Sequence, residues 1–275
     1  MDRHFFRSMF LSALLPATAL FAQDGQTHNL KLAFELGANV MSCELVKPEQ
    51  IRENHYSRYY YRDKYDYDYG YVRDYSDLRT FHFGVKPEIF VFNNRIGIAS
   101  GLRFTYAKSE LVSNRNDFLW KLREEGLNTY YVQIKDIQQN NYLLGIPFEV
   151  RYFQNRRELP VQHYFKFGAS FNFRIHQNTE VSFTKENMKK YNDEVQNQLP
   201  NADNFFSAFI FGAVGFKIGR YKEGKMVPWG NIDFQFPYFL ITENSFAFAG
   251  TYGFGVGFQC SLQIPIGNNV PIGSK

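Results

Sequence analysis

Between Phe246 and Ile264 apolar and polar positions alternate almost without a break. Even positions carry Phe246, Phe248, Phe254, Val256, Phe258, Cys260, Leu262 and Ile264, while odd ones carry Ala247, Ala249, Gly253, Gly255, Gly257, Gln259, Ser261 and Gln263. Successive side chains on a β-strand point to opposite faces, so one face of this segment is aromatic and aliphatic and the other small and polar. A strand of that length and split suits a membrane-spanning barrel, apolar towards lipid and polar towards the lumen.

The same two-faced pattern predicts eight strands, at about 30–41, 80–92, 95–110, 136–153, 161–178, 205–221, 227–242 and 246–265. Strand one sets Leu30, Leu32, Phe34, Leu36 and Val40 against Lys31, Glu35 and Asn39. Strand five sets Phe165, Phe167, Phe171, Phe173 and Ile175 against Lys166, Gly168, Ser170, Asn172, Arg174 and His176. Strand six is the exception, with Phe209 and Phe211 on its small, polar face. Connections two, four and six are short, whereas one, three and five span roughly 42–79, 111–135 and 179–204. The seventh, around Glu243-Asn244, reads as short and breaks the alternation. Outer-membrane barrels have short periplasmic turns and longer outer loops, and an even strand number sorts these connections accordingly.

Periodicity alone leaves open which face is enclosed. A soluble lipocalin-like ligand-binding barrel has apolar side chains inside and polar ones in water. Volume favours the inverse, because an eight-stranded barrel encloses only enough space for side chains or one small ligand. Four or five large apolar residues from every strand would overfill it. The expectation is therefore an all-β fold: an eight-stranded antiparallel transmembrane up-and-down β-barrel with short periplasmic turns and long outer loops.

Composition refines this picture at four points. Residues 1–22 resemble a secretory signal, with Arg3, His4 and Arg7 before an apolar run from Met9 to Phe21 and Ala22 at the cleavage point, leaving 23–275 as one barrel domain. No later stretch reaches the roughly 18 to 20 continuous apolar residues of a spanning helix. The formal charge of +4 and the lack of a basic run give no sign of nucleic-acid binding. Two cysteines, Cys43 and Cys260, are too few for a disulfide scaffold. Strand directions separate them by about seven residues, roughly 23 Å, along the barrel wall. Two free thiols are expected, with Cys260 facing lipid.

The lumen face would carry Lys31, Glu35, Lys86, Glu88, Arg103, Glu149, Arg151, Lys166, Arg174, Lys217 and Asp233. Unpaired charges in so narrow a space are costly, so these read as an ionic network that plugs the barrel, with a narrow, selective pore as the alternative and too few strands for a wide channel. Residues 56–75 read YSRYYYRDKYDYDYGYVRDY, and Tyr59, Tyr60, Tyr61, Tyr65, Tyr67, Tyr69 and Tyr71 are candidates for partner contact. Extension of the barrel strands is an equal reading of that segment. Asp63, Asp66 and Asp68 lack the glycine and terminal glutamate of a calcium loop, so no metal site is assigned. Two outer loops read as short helices. One is capped by Asn116 or Asp117 and carries Phe118, Leu119 and Leu122; the other is capped by Thr184, carries Met188, Tyr191 and Val195, and stops at Pro200. An apolar helical stripe of this kind ordinarily packs onto its own protein, here as a lid over the barrel mouth, with docking of a partner as the alternative. His82 and His176, placed inward near the rim with Asp77, Asp136 and Ser182 nearby, do not have the spacing of a triad. No enzyme activity and no cofactor are assigned.

Tyr142-Leu143-Leu144-Gly145-Ile146-Pro147-Phe148-Glu149-Val150-Arg151-Tyr152 resembles the Y-L-x-I-P-x-x-x-K-Y strand of PorT-like outer-membrane β-barrels of the Bacteroidota type. Lys166-Phe167-Gly168-Ala169-Ser170, Leu36-Gly37-Ala38-Asn39 and Gly101-Leu102-Arg103-Phe104 are similar to other strands of that family. The resemblance implies residence in the cell outer membrane, with membrane lipid around the barrel. The family's members are usually of undefined role; its name-giving member is an accessory of type IX protein secretion, which gives an alternative function in which secretion-machinery or surface proteins meet the outer loops.

Overall fold

The computed structural model describes residues 29–52, 75–92, 95–112, 117–154, 160–200, 202–222, 225–250 and 253–265. The expected signal segment and the tyrosines and aspartates singled out between 59 and 71 lie outside the described residues. Among the described residues, ten antiparallel strands form one sheet: β1 (Asn29–Glu44), β2 (Tyr75–Val91), β3 (Ile96–Ser100), β4 (Leu102–Val112), β5 (Phe118–Glu125), β6 (Asn128–Phe153), β7 (Val161–Phe183), β8 (Phe206–Lys222), β9 (Lys225–Leu240) and β10 (Phe254–Pro265). A 3₁₀ turn (Glu186–Tyr191) runs into the short helix α1 (Asn192–Gln198) between β7 and β8.

The sheet closes on itself. Partner residues can be followed from Asn141 on β6 through Ala107, Thr80, Asn39, Gly257, Gln235, Ala213 and Lys166, and the path returns to β6 at Arg151. Every residue on this path faces the enclosed space. The return point is displaced by roughly ten residues along β6, which is the stagger a ring of tilted strands requires.

Two of the ten strands were not anticipated. β3 and β4 lie end to end between β2 and β6, with an unbroken register to both neighbours. They are the expected 95–110 segment interrupted at Gly101, where a Cβ would stand 2.2 Å from the Val85 carbonyl oxygen and 2.6 Å from Lys86 Cα. β5 replaces the helix expected after Asp117. Phe118, Trp120 and Leu122 are buried while Leu119 and Lys121 between them are half-buried, so the burial has period two and β5 pairs with the outer end of β6. Thr184 does not cap the second helix, since the residue preceding the 3₁₀ turn is Lys185 and makes no side-chain cap.

The last strand begins at Phe254 rather than 246. Phe246, Ala247, Phe248 and Ala249 are all buried irrespective of parity, because the segment turns into the ring's mouth instead of continuing its wall. The connection from β9 to β10 thus spans 241–253, and the seventh connection is long like the others at its end. Alternation along the remaining strands is inverted relative to a soluble protein. Glu35, Lys86, Glu149 and Asp233 are enclosed, while Phe167, Phe234 and Phe236 lie on the outer surface with 67%, 54% and 61% exposure.

Cys260 pairs in register with Leu36, about seven residues below Cys43 along β1, and the two side chains lie on opposite faces. Both cysteines are free. Mass spectrometry without reductant should find two thiols, and a Cys43–Cys260 peptide would contradict this register.

A sealed polar lumen as the candidate functional site

Because each strand turns alternate residues inward, complementary charges on different strands are delivered to one layer without any local sequence signal. Glu35 on β1, Lys86 and Glu88 on β2, Arg103 on β4, Glu149 and Arg151 on β6, Lys166 on β7 and Asp233 on β9 form that layer, each almost fully buried. Glu149 is its hub. Its carboxylate lies 2.5 Å from Lys86 Nζ, 3.0 Å from an Arg103 nitrogen, 3.4 Å from Arg151 and 3.7 Å from Lys166. Lys86 reaches Glu35 at 2.5 Å, and Arg103 donates to both Glu35 oxygens at 2.6 and 2.9 Å. Arg151 bonds Glu88 at 2.8 Å, Lys166 bonds Asp233 at 2.6 Å, and Gln259 donates to Glu35 at 2.9 Å. Gln263 donates to Glu88. Charges this deeply enclosed are tolerable only when paired and hydrogen-bonded, and this layer meets both conditions.

An aromatic floor closes the layer at the end of the short turns. Phe90, Phe153 and Tyr164 pack together, with ring centroids 5.8 Å and 4.9 Å apart for the two pairs that Phe153 makes. Lys31 and Lys217 set their ammonium groups over Phe90, at 4.5 and 4.8 Å, and the Arg151 guanidinium lies over Tyr164 at 5.4 Å. Tyr164 also donates to Asp233. Its ring fits only because Gly215 faces it, where a Cβ would stand 2.3 Å from both the ring and the Asp233 carboxylate.

The opposite end is closed by apolar packing. Met41, Cys43, Leu78, Leu143, Phe209, Phe211, Tyr238 and Leu240 form a cluster with Phe246 and Ala249. This explains the two phenylalanines that disturbed the polar face of the sixth predicted strand. Above it, Ile51, Leu111, Phe118, Trp120, Leu122, Val132, Ile134 and Ile137 pack with Val195, Ala247 and Phe248. Met188, Tyr191 and Leu199 join from the helical segment, which lies over the mouth as a lid. Trp120 Nε1 donates to Gln198 at 2.8 Å and fixes α1 to β5.

Nine of the residues expected on the lumen face belong to the floor or the ionic layer, and Lys217 joins them at the floor. Arg174 does not. It pairs in register with inward-facing Leu143 but stands at the mouth, just below an irregularity in the β6–β7 pairing at Tyr142/Leu143, half-buried and donating to the carbonyls of Ala202 and Ser245. The same irregularity turns His176 outward, its ring 5.6 Å from that of Tyr142, so the inward placement expected for it is overturned. His82 does point inward and is buried. The two histidines therefore lie on opposite faces, while Ser182 donates to Asp136 at 3.1 Å.

No family model matches the sequence, and no curated protein is similar to it. Among solved structures, the outer membrane protein OprG from Pseudomonas aeruginosa superposes with a TM-score of 0.35 and 11% identity, over 88% of this chain and 99% of that one. The transport unit of the autotransporter AIDA-I from Escherichia coli gives a TM-score of 0.23 and 9% identity, over 94% and 97% of the two chains. Both superpositions are loose.

Removing the hub's charge should be costly. Glu149→Gln leaves four cations around a neutral amide and is expected to lower stability by about 3–5 kcal/mol. Arg79→Gln, which removes a half-exposed guanidinium lying 3.8 Å from Asp77 and 3.9 Å from Glu110, should cost under ~1 kcal/mol. Urea unfolding of the refolded protein measures both.

Proposed function

We propose that the chain is a non-enzymatic outer-membrane β-barrel of eight staves, closed to passage by its own lumen, whose outer loops meet partner molecules. The observation that carries this reading is the inside-out distribution of polarity. On β6 the outward residues run Tyr142, Leu144, Ile146, Phe148, Val150 and Tyr152, with Asn140 and Gln138 continuing above them. Tyr142 lies directly across from Tyr106 and His176, so a row of amphipathic rings marks the upper limit of the apolar surface. The circuit's displacement from Asn141 to Arg151 over eight staves implies a strand tilt of about 40°. The stretch from Tyr142 to Tyr152 then covers about 25 Å along the ring axis, the height of the lipid-facing band of outer-membrane barrels.

The lipocalin-like alternative needs an apolar interior around its ligand. Ion pairs and packed rings occupy that space here, which argues against it. A wide channel is disfavoured by the same filling. The accessory role in type IX secretion rests on the PorT-like strand motif of residues 142–152 and remains a second reading.

Two measurements test these readings. The purified chain should require detergent to stay monodisperse, and unheated samples should migrate differently from boiled ones in gels. A monomer soluble without detergent would overturn the membrane reading. Deletion of residues 56–75 should leave the barrel inserted and, if the accessory reading holds, reduce secreted cargo. An unchanged secreted-protein profile in a complete knockout would remove that reading alone.

A further inference from the structure

A short strap, residues 245–250, crosses the ring's mouth without forming helix or strand. Phe246, Ala247, Phe248 and Ala249 are buried between the two apolar clusters. Few polar contacts hold the strap. The Ala247 N–H donates to Gln139 Oε1 at 3.0 Å, and Arg174 donates to the Ser245 carbonyl at 3.4 Å. Ser245 Oγ donates to the Phe206 carbonyl at 2.9 Å. An isolated bridge joins Ala249 to Leu45, flanked by Val46 N–H to the Phe248 carbonyl and Gly250 N–H to the Glu44 carbonyl.

The wall beneath the strap is mixed: Leu78, Leu143, Phe209 and Leu240 pack against it, and polar groups stand beside them. Ser109 Oγ, Asn141 Oδ1 and Ser207 Oγ at its level, with Asn39 Oδ1 and His82 Nε2 just below, are buried without a protein hydrogen-bond partner. Buried polar atoms are ordinarily satisfied. An apolar insert cannot satisfy them, whereas water in an open mouth can. Hydroxyls, amides and an imidazole are side chains for a hydrated vestibule, and they gain partners when the strap leaves. Phe246 and Phe248 lose burial in the same step, which keeps the closed state favoured.

We propose that residues 245–250 are a displaceable plug, latched by Arg174 and Gln139, over a blind vestibule of mixed lining, polar at Ser109, Asn141 and Ser207 and apolar at Leu78, Leu143 and Phe209, that stops above the ionic layer. Arg174 is the more accessible latch, because it is half-buried and ties Ser245 to Ala202 across the mouth. The ion pairs below do not depend on the strap, so its departure opens a pocket and not a channel.

Cys43 reports on this motion, since it is buried in one cluster with Phe246 and Ala249. The full chain carrying Cys260→Ser is placed in lipid nanodiscs and exposed to a charged maleimide, and label is quantified on the Cys43 peptide by mass spectrometry. Slow labelling is expected in the folded protein, faster by about tenfold with Arg174→Ala, which removes a charged hydrogen bond. Gln139→Leu should also accelerate it and serves if the arginine variant fails to fold. An oxidised Leu45→Cys/Ala249→Cys pair, placed at the existing bridge, should stop labelling until it is reduced. The proposal is overturned if locked and unlocked chains label at the same rate. It is equally overturned if Cys43 reacts in both latch variants only at denaturant concentrations that unfold the ring.

Discussion

Closure of the sheet is the constraint from which the other features follow. Once β1 pairs with both β2 and β10, every strand of the ring has partners on both edges, and main-chain donors and acceptors are consumed within the wall. The cost is a narrow interior in which inward side chains have only one another as partners. Glu149 with its four cations, and Tyr164 seated against Gly215, are two solutions to that problem. One matches charge and the other matches volume.

The layers also divide the work of fixing the strand register. A slip of one residue would turn the aromatic face inward, so the alternating pattern forbids odd displacements. A slip of two keeps the faces but carries Glu149 away from Lys86 and Arg103, leaving buried charges apart. The ionic layer therefore supplies what alternation cannot, a penalty against even displacements. Buried ion pairs contribute little net stability compared with apolar packing, but they discriminate strongly between neighbouring arrangements.

The two ends of the ring are built differently. The floor needs only three rings and the side chains set over them, because the connections there are short. At the other end β6 and β7 continue past the aromatic row, and β5 folds back on β6, so a second apolar core assembles above the wall. That core draws on Ile51, Trp120, Val195 and Phe248, which are far apart in sequence. Beneath it, the hydroxyls of Ser109 and Ser207 and the Asn141 amide oxygen are buried beside apolar groups without a protein hydrogen-bond partner.

Alternation determined the wall. The expected segments at 30–41, 136–153, 161–178, 205–221 and 227–242 fall within observed strands or within a few residues of them, because a strand with two unlike environments must write its period into the chain. The inward position of Glu35, Lys86, Arg103, Glu149 and Asp233 was legible for the same reason. What pairs with what was not: Glu149 meets Lys86 and Lys166 only through closure and stagger, which no local window contains. Phe118 to Leu122 was misread as helical because a few apolar residues fit either period. The 246–249 segment was misread as wall because alternation persists there while its burial does not. His176 was misassigned because an irregularity in pairing reverses parity without leaving a sequence mark. Period is a local property of the chain and survives in the sequence, whereas partnership and the turning of a strand are set by the whole ring.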